Sequence, residues 1–210
     1  MKQLDTLSIP FYEFRCNDKL VDEIYPLIKN LSYRQGDTST ELSEAYFYHK
    51  ELFDWFNECL EKVKQLYFDD NLKIVITTCW ATKTLPLQKH IIHNHQQTLI
   101  AGIFYLDTFQ SGETIFYNNN PWTRYQNEHI MNISTKSSIS TKLTTKILPE
   151  KGKLILFPPQ IYHGTSPNKD KKTRYTLAFD AFFSGKIYGN SNWPYVEINS
   201  TSLKDIDNSK

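Results

Sequence analysis

Apolar residues recur at helical spacing in two N-terminal stretches. Leu20, Val21, Ile24, Leu27 and Ile28 form one stripe, preceded by a candidate N-cap at Asn17 or Asp18. Leu52, Phe53, Phe56, Leu60, Val63 and Leu66 form a stronger one, with Glu51, Asp54, Glu58, Glu61, Lys62 and Lys64 mostly off it. Asp69-Asp70-Asn71 ends that stripe. From Leu72 the period falls to two, so Leu72, Ile74, Ile76, Thr78 and Trp80 are expected on one face of a strand. Further strands are expected at residues 99–106, 113–117, 144–148, 153–157 and 173–183. These runs are rich in Ile, Tyr, Phe and Thr and are separated by Gly, Pro, Asn and Asp. The pattern predicts a mainly β protein with N-terminal helices, its strands forming a sandwich or a jelly-roll barrel. Residues 1–71 read as a helical support region, 72–198 as the β-core and 199–210 as a frayed, disordered tail. Asn118 to Lys142 is a long polar interruption, either a lid over a site or a mobile connection.

Composition narrows the picture. The length of 210 residues fits a single domain, and 40% hydrophobic with 22% charged residues is a globular balance. A formal net charge of +1 argues against a dedicated nucleic-acid binder. Lys142 to Arg174 holds eight basic residues against Glu150 and Asp170, either an attraction for an anion or solvated loops around an anion pocket. The longest apolar run, residues 99–106, is far below the ~20 residues of a membrane span. Residues 1–10 lack a basic start followed by an apolar stretch, so no signal peptide is expected. Cys16, Cys59 and Cys79 are odd in number, widely spaced and free of CxxC pairs. They read as reduced thiols of a cytoplasmic protein.

The candidate chemistry lies in scarce residues. Of six histidines, His90, His93 and His95 fall within six positions. In a strand, His93 and His95 would project two imidazoles from one face, a natural pair of metal ligands and equally a chance pairing. His163 follows a glycine turn, an apolar strand and a Pro-Pro break, which places it at the mouth of a β-structure. Arg174 is one of only four arginines. It shares a strand face with Thr176, and together they could hold a carboxylate, or Arg174 could make an ordinary strand-edge salt bridge. His90 reads as a loop or supporting histidine, and His49 and His129 as surface residues.

Taken in order, these segments resemble the 2-oxoglutarate and Fe(II)-dependent oxygenases built on a double-stranded β-helix, a cupin-like jelly roll. His93-Asn94-His95 stands where that family carries HxD or HxE. Residues 103–107 (IFYLD), 111–116 (SGETIF) and 148–157 (LPEKGKLILF) are similar to its later strand motifs. His163 matches the distal metal histidine, and Arg174-Tyr175-Thr176 the site for the far carboxylate of 2-oxoglutarate. The likeness is more detailed to the 2OG-Fe(II) oxygenase family of bacteria and tailed phages with an HxH motif, through Cys79-Trp80-Ala81 and residues 101–106. It implies Fe(II) on His93, His95 and His163, and 2-oxoglutarate held by Arg174, Thr176 and the Tyr105 hydroxyl. No catalytic residue is implied beyond the metal ligands. The expected reaction consumes O2 and 2-oxoglutarate and hydroxylates a small-molecule or peptide substrate, with succinate and CO2 as coproducts. Neither membrane nor nucleic acid is indicated as a partner, and a homo-oligomer is open.

One position departs from the family. His95 replaces the facial-triad carboxylate, and no nearby Asp or Glu has fitting spacing. Three readings follow: a three-His site, two His with water, or a scaffold that has lost its chemistry. The first is preferred, because residues i and i+2 aim both rings at one place. It leaves two other functions standing: a three-His cupin-type dioxygenase without cosubstrate, and a non-catalytic jelly-roll binding or virion protein. Substrate choice is expected to involve Trp80, the Asn118–Lys142 stretch with Trp122 and Tyr125, and Gln160 to Tyr162, although Trp80 also reads as core.

Overall fold

The computed structural model describes residues 10–35, 40–68, 72–118, 144–187 and 196–203. Helix α1 spans Asp18–Lys29 and starts where the Asn17 side chain accepts a hydrogen bond from the Leu20 amide at 2.8 Å. Helix α2 spans Lys50–Tyr67 and is capped by His49, whose Nδ1 accepts from the Leu52 amide at 3.5 Å. The apolar stripes of both helices are buried, except that Leu27 and Leu66 face solvent. Lys64 is buried instead, its ammonium held by Glu61 at 2.9 Å.

Among the described residues the strands are, in chain order, β1 (Tyr12–Arg15), β2 (Tyr33–Gln35), β3 (Glu41–Ser43), β4 (Lys73–Thr84), β5 (Ile100–Tyr105), β6 (Thr114–Tyr117), β7 (Thr144–Ile147), β8 (Lys153–Phe157), β9 (His163–Thr165), β10 (Arg174–Ile187) and β11 (Val196–Ile198). The large antiparallel sheet has the order β1-β8-β5-β10-β4-β3-β2, with β11 on the far part of β10; a small sheet runs β7-β6-β9. The region read as a helical support therefore also carries β1, β2 and β3. These are strands of three or four residues, too short to show a period of two. Non-consecutive neighbours in both sheets give the jelly-roll topology.

Two cores flank the large sheet. On its outer face α1 and α2 pack Ile24, Ile28, Leu52 and Phe56 against Phe104, Leu156, Leu177 and Phe179. Between the two sheets lies a smaller cluster of Ala101, Tyr105, Phe116, Ile155, Phe157 and Ile161. Strand β8 is buried at all five positions because its alternate side chains serve the two cores in turn.

The expected face of β4 is broken. The register with β10 shifts so that Asp180 pairs with Thr78 but Ala181 pairs with Ile76, leaving Thr77 as the extra residue of a bulge. A one-residue insertion reverses the side-chain parity of a strand. Ile74 and Ile76 consequently join Cys79 and Ala81 on the helix-covered face. Thr78, Trp80 and Thr82 turn to the other side. Residues 199–203, expected to fray, are tied down: Ser200 donates to the Phe183 carbonyl at 2.6 Å and Leu203 is buried in the main core. Among the described residues no helix is long and apolar enough to cross a membrane, and the three cysteines are buried and unpaired.

Gly102 on β5 lies directly opposite Phe179 on β10, and the Phe179 ring fills the space a side chain would need; an added Cβ would come within 2.3 Å of it. Gly102→Ala is expected to lower stability by about 1–3 kcal/mol, the usual cost of overpacking, measured by urea unfolding. On a Phe179→Leu background the same change should cost clearly less, because the clashing ring is gone.

Candidate functional site

Strand β10 carries alternate side chains to opposite sides. Leu177 and Phe179 enter the helix-covered core, while Arg174, Thr176 and Ala178 line a cavity between the sheets. Trp80 and Thr82 from β4, Ile103 and Tyr105 from β5, and Thr114 from β6 complete its walls. The cavity encloses about 490 Å³ of atom-free space, part of it open to solvent.

His90, His93, His95 and His163 stand at one end. His93 and His95 are not in a regular strand, as the i, i+2 argument assumed. They lie between β4 and β5, where His93 forms an isolated antiparallel bridge with His163. Each of that pair donates its amide to the other's carbonyl, at 2.9 and 2.8 Å. The His95 amide bonds the Pro159 carbonyl at 3.0 Å, and the Thr165 amide bonds the His90 carbonyl at 3.1 Å. His163, expected at a mouth outside the core, is 4% exposed within β9.

This pairing brings the rings together. Ring centroids are 4.3 Å apart for His93–His163, 5.2 Å for His95–His163 and 5.3 Å for His93–His95. Each Nδ1 has a fixed partner. Those of His93 and His163 donate to the carbonyls of Ile91 and Ile161, both at 3.0 Å, and that of His95 donates to Asp180 Oδ1 at 2.6 Å. With every Nδ1 committed, the free Nε2 lone pairs are the ligand atoms, and one ligand atom from each ring lies within 4.8 Å of the others. Phe157 and Phe116 pack on His163, and Trp80 stacks on His95 with centroids 5.8 Å apart. Burial pushes the His163 imidazole down to about 3 and that of His90 to about 4, and lowers His93, with neighbouring imidazoles adding to the effect. Neutral imidazole is the form that binds a metal.

Arg174 occupies the other end. It is 3% exposed, donates to the Gly112 carbonyl and reaches the Thr84 hydroxyl at 3.4 Å. Its Nε has no hydrogen-bond partner, and among the described residues no carboxylate pairs with it. Burial lowers its pKa, but guanidinium stays cationic in proteins. Gly112 at φ +70° leaves room for it, since a Cβ there would sit 3.0 Å from Arg174 Nη1. Around the guanidinium, Thr176 is hydrogen-bonded to Thr82, and the Tyr105 hydroxyl to Thr114 at 2.6 Å.

The expected site residues His93, His95, His163, Arg174, Thr176 and Tyr105 thus line one cavity. His90 stacks on His93 at 4.6 Å, whereas His49 caps α2. Trp122, Tyr125, His129 and most of the Asn118–Lys142 stretch lie outside the described residues. Three contributions were missed. The first is Asp180, which is not among the candidate metal ligands but touches His95 across 85 positions of sequence. Its signal was strand parity: Asp180 follows Arg174, Thr176 and Ala178 at steps of two. Thr82 carried no motif, and Thr114 stood in the SGETIF segment without an assigned role; tertiary packing brings both to the cavity. Trp80, read mainly as core, is half-buried against His95 and also borders an adjoining open groove with Arg34, Glu44, Tyr46 and Asp180.

The jelly roll thus gathers in one cavity three imidazoles that could hold a metal ion and a buried arginine. Residues 78–180 match the family described as "Putative 2OG-Fe(II) oxygenase". The matched segment is just under half of the chain and holds every candidate site residue; with the fold it indicates a 2-oxoglutarate–Fe(II) oxygenase, an oxidoreductase. Solved structures share the double-stranded β-helix fold. A prolyl-4-hydroxylase from Pseudomonas putida superposes with a TM-score of 0.59 at 11% identity, covering 84% of this chain and 92% of that one. HygX from Streptomyces hygroscopicus, with nickel and 2-oxoglutarate bound, gives 0.58 at 14% identity over 82% of each chain. A prolyl hydroxylase from Trichoplax adhaerens, in complex with a hypoxia-inducible-factor peptide fragment, gives 0.55 at 14% identity over 82% and 83%. No curated protein matches the sequence.

The depressed imidazoles make a prediction for the metal-free protein. An unfolded histidine titrates near 6.5, so below that pH the unfolded chain binds protons that buried His90 and His163 refuse. Stability is therefore expected to be level above about pH 6.5 and to fall steadily towards pH 4. Urea midpoints at pH 7.5, 6 and 5 check this, and His90→Gln should flatten the slope.

Proposed function

We propose that the chain is a dioxygenase that holds Fe(II) on His93, His95 and His163 and 2-oxoglutarate between that metal and Arg174. The observation that carries the reading is a single cavity with two unlike ends. One end presents three imidazoles with every Nδ1 committed, and the other a buried guanidinium without an acidic partner among the described residues.

Both ends fit the groups assigned to them. Imidazole nitrogens suit iron, and their neutral state needs no proton release on binding. A guanidinium removed from water without a counter-charge is costly, and a carboxylate relieves that cost by accepting two parallel N–H bonds. When bound together, iron and 2-oxoglutarate supply the chemistry: O2 is consumed, 2-oxoglutarate becomes succinate and CO2, and a substrate C–H becomes C–OH.

The chain's own residues bind, orient and exclude water. Arg174, with the Thr176 and Tyr105 hydroxyls beside it, fixes the far carboxylate. Thr82 and Thr114 hold those hydroxyls in place. Phe116 and Phe157 seal the histidine side, where low polarity strengthens every charge interaction. The half-buried Trp80 separates this cavity from the adjoining groove. We assign that groove to a small-molecule or peptide substrate. The buried, unpaired thiols support a reducing, cytoplasmic setting.

The all-histidine set also favours a second reading, a cupin-type dioxygenase in which Arg174 holds a substrate carboxylate directly. Dependence of O2 uptake on 2-oxoglutarate separates the two. Anaerobic Fe(II) with 2-oxoglutarate is expected to give a weak visible charge-transfer band. Arg174→Ala should weaken 2-oxoglutarate by roughly 30-fold or more, the 2–5 kcal/mol of a truncated buried charge pair, with iron still bound. His163→Ala should lose the iron. A wild-type protein that binds iron but no 2-oxoglutarate would refute the first reading.

A further inference from the structure

We propose that Asp180 is a positioning residue for the metal: it sets the orientation and tautomer of His95 and returns to the site, one ring away, the negative charge that His95 displaced. The proposal rests on the reading that His93, His95 and His163 hold a metal.

The three histidines are not supported alike. His93 and His163 each donate Nδ1–H to a carbonyl two residues upstream, Ile91 and Ile161. Those acceptors are neutral, belong to the same short turn and come with the local backbone. His95 has no such local acceptor. Its Nδ1 meets the Asp180 carboxylate at 2.6 Å, from a strand 85 residues away, and both side chains are largely withdrawn from solvent at 8% and 19% exposure. The one imidazole at the usual carboxylate position is thus the one given a carboxylate partner.

The strand is shaped for this contact. Asp180 is the last residue of β10 before its register with β4 shifts. On the β4 side the bulge hydroxyl of Thr77 donates to the Asp180 carbonyl at 3.2 Å, and Thr78 reaches the second carboxylate oxygen at 3.5 Å. Trp80 stacks against the His95 ring. Backbone, carboxylate and imidazole are each held by a different neighbour, so His95 is aimed before a metal arrives.

The consequence is chemical. Three neutral imidazoles leave a divalent metal with its full +2 charge. A carboxylate hydrogen-bonded to the outer nitrogen makes the imidazole a stronger donor and offsets part of that charge. Removing such a partner typically costs ten- to a hundredfold in metal affinity.

The test uses the full-length, metal-free protein and Co(II) alone. Nitrogen-15 spectra of the histidine rings should show His95 as the Nδ1–H tautomer in the wild type and as a mixture in Asp180→Ala. Titration with Co(II), followed by its visible spectrum, should show Asp180→Ala weakened about ten- to a hundredfold. Asp180→Asn, which keeps an acceptor oxygen without the charge, should fall between. On a His95→Gln background Asp180→Ala should add no further loss, because its route to the metal has been removed. If Asp180→Ala does not fold, the near-isosteric Asn variant decides alone. Wild-type affinity and tautomer in the variants would overturn the proposal while leaving the metal site intact. Failure of the wild type itself to bind Co(II) would overturn the metal reading and this proposal with it.

Discussion

The site depends on one short piece of backbone pairing. His93 and His163 exchange two amide hydrogen bonds at 2.9 and 2.8 Å, although neither belongs to a long strand. The pairing continues irregularly on both sides, from Leu87 and Gln88 against Asn168 to His95 against Pro159. Each bond contributes only about 1 kcal/mol net, but a buried amide left without a partner costs about 1–3 kcal/mol. The two segments therefore lock in one register. That register brings together rings separated by some 70 residues of chain, and it gives His93 and His163 the turn geometry in which their own upstream carbonyls hold Nδ1.

Strand β10 does the complementary work. Its odd-numbered side chains Tyr175, Leu177 and Phe179 anchor the large sheet to the helices. Its even-numbered ones run from Arg174 at one end of the cavity to Asp180 beside His95. At about 3.3 Å per residue, six steps place their Cα atoms roughly 20 Å apart, and the side chains reach inward from there. The strand is held by packing on its far face, so the two polar ends are carried on a rigid bar. The same packing explains Gly102, whose missing side chain lets Phe179 seat in the core.

The arrangement of charge follows from burial. Cations deep in a protein are costly, and burial pushes His90, His93 and His163 towards the neutral form. Arg174 cannot become neutral, and its partners are the Gly112 carbonyl and the Thr84 hydroxyl, which solvate a charge without neutralising it. Asp180, the carboxylate bonded to His95, stands behind that ring and outside the cavity wall. An anion with two separated acidic ends, one for a metal and one for a guanidinium, complements this layout.

Local pattern was enough to read both helices, most of the strands and the order in which His93, His95, His163 and Arg174 enter the fold. Those features depend on periodicity, caps and turns, which act over a few residues. The short strands β1, β2, β3, β9 and β11 escaped it, because three or four residues hold too little alternation. The bulge at Thr77 escaped it too, since its cause is the register with a partner strand a hundred residues away. Asp180 shows the boundary most sharply. Its parity with Arg174 was visible along the chain, but its meaning was not. A carboxylate at that position has no role until the His93–His163 pairing brings His95 within 2.6 Å of it. Side-chain type and spacing determine which chemistry is available, and the packing of distant segments determines which groups meet to perform it.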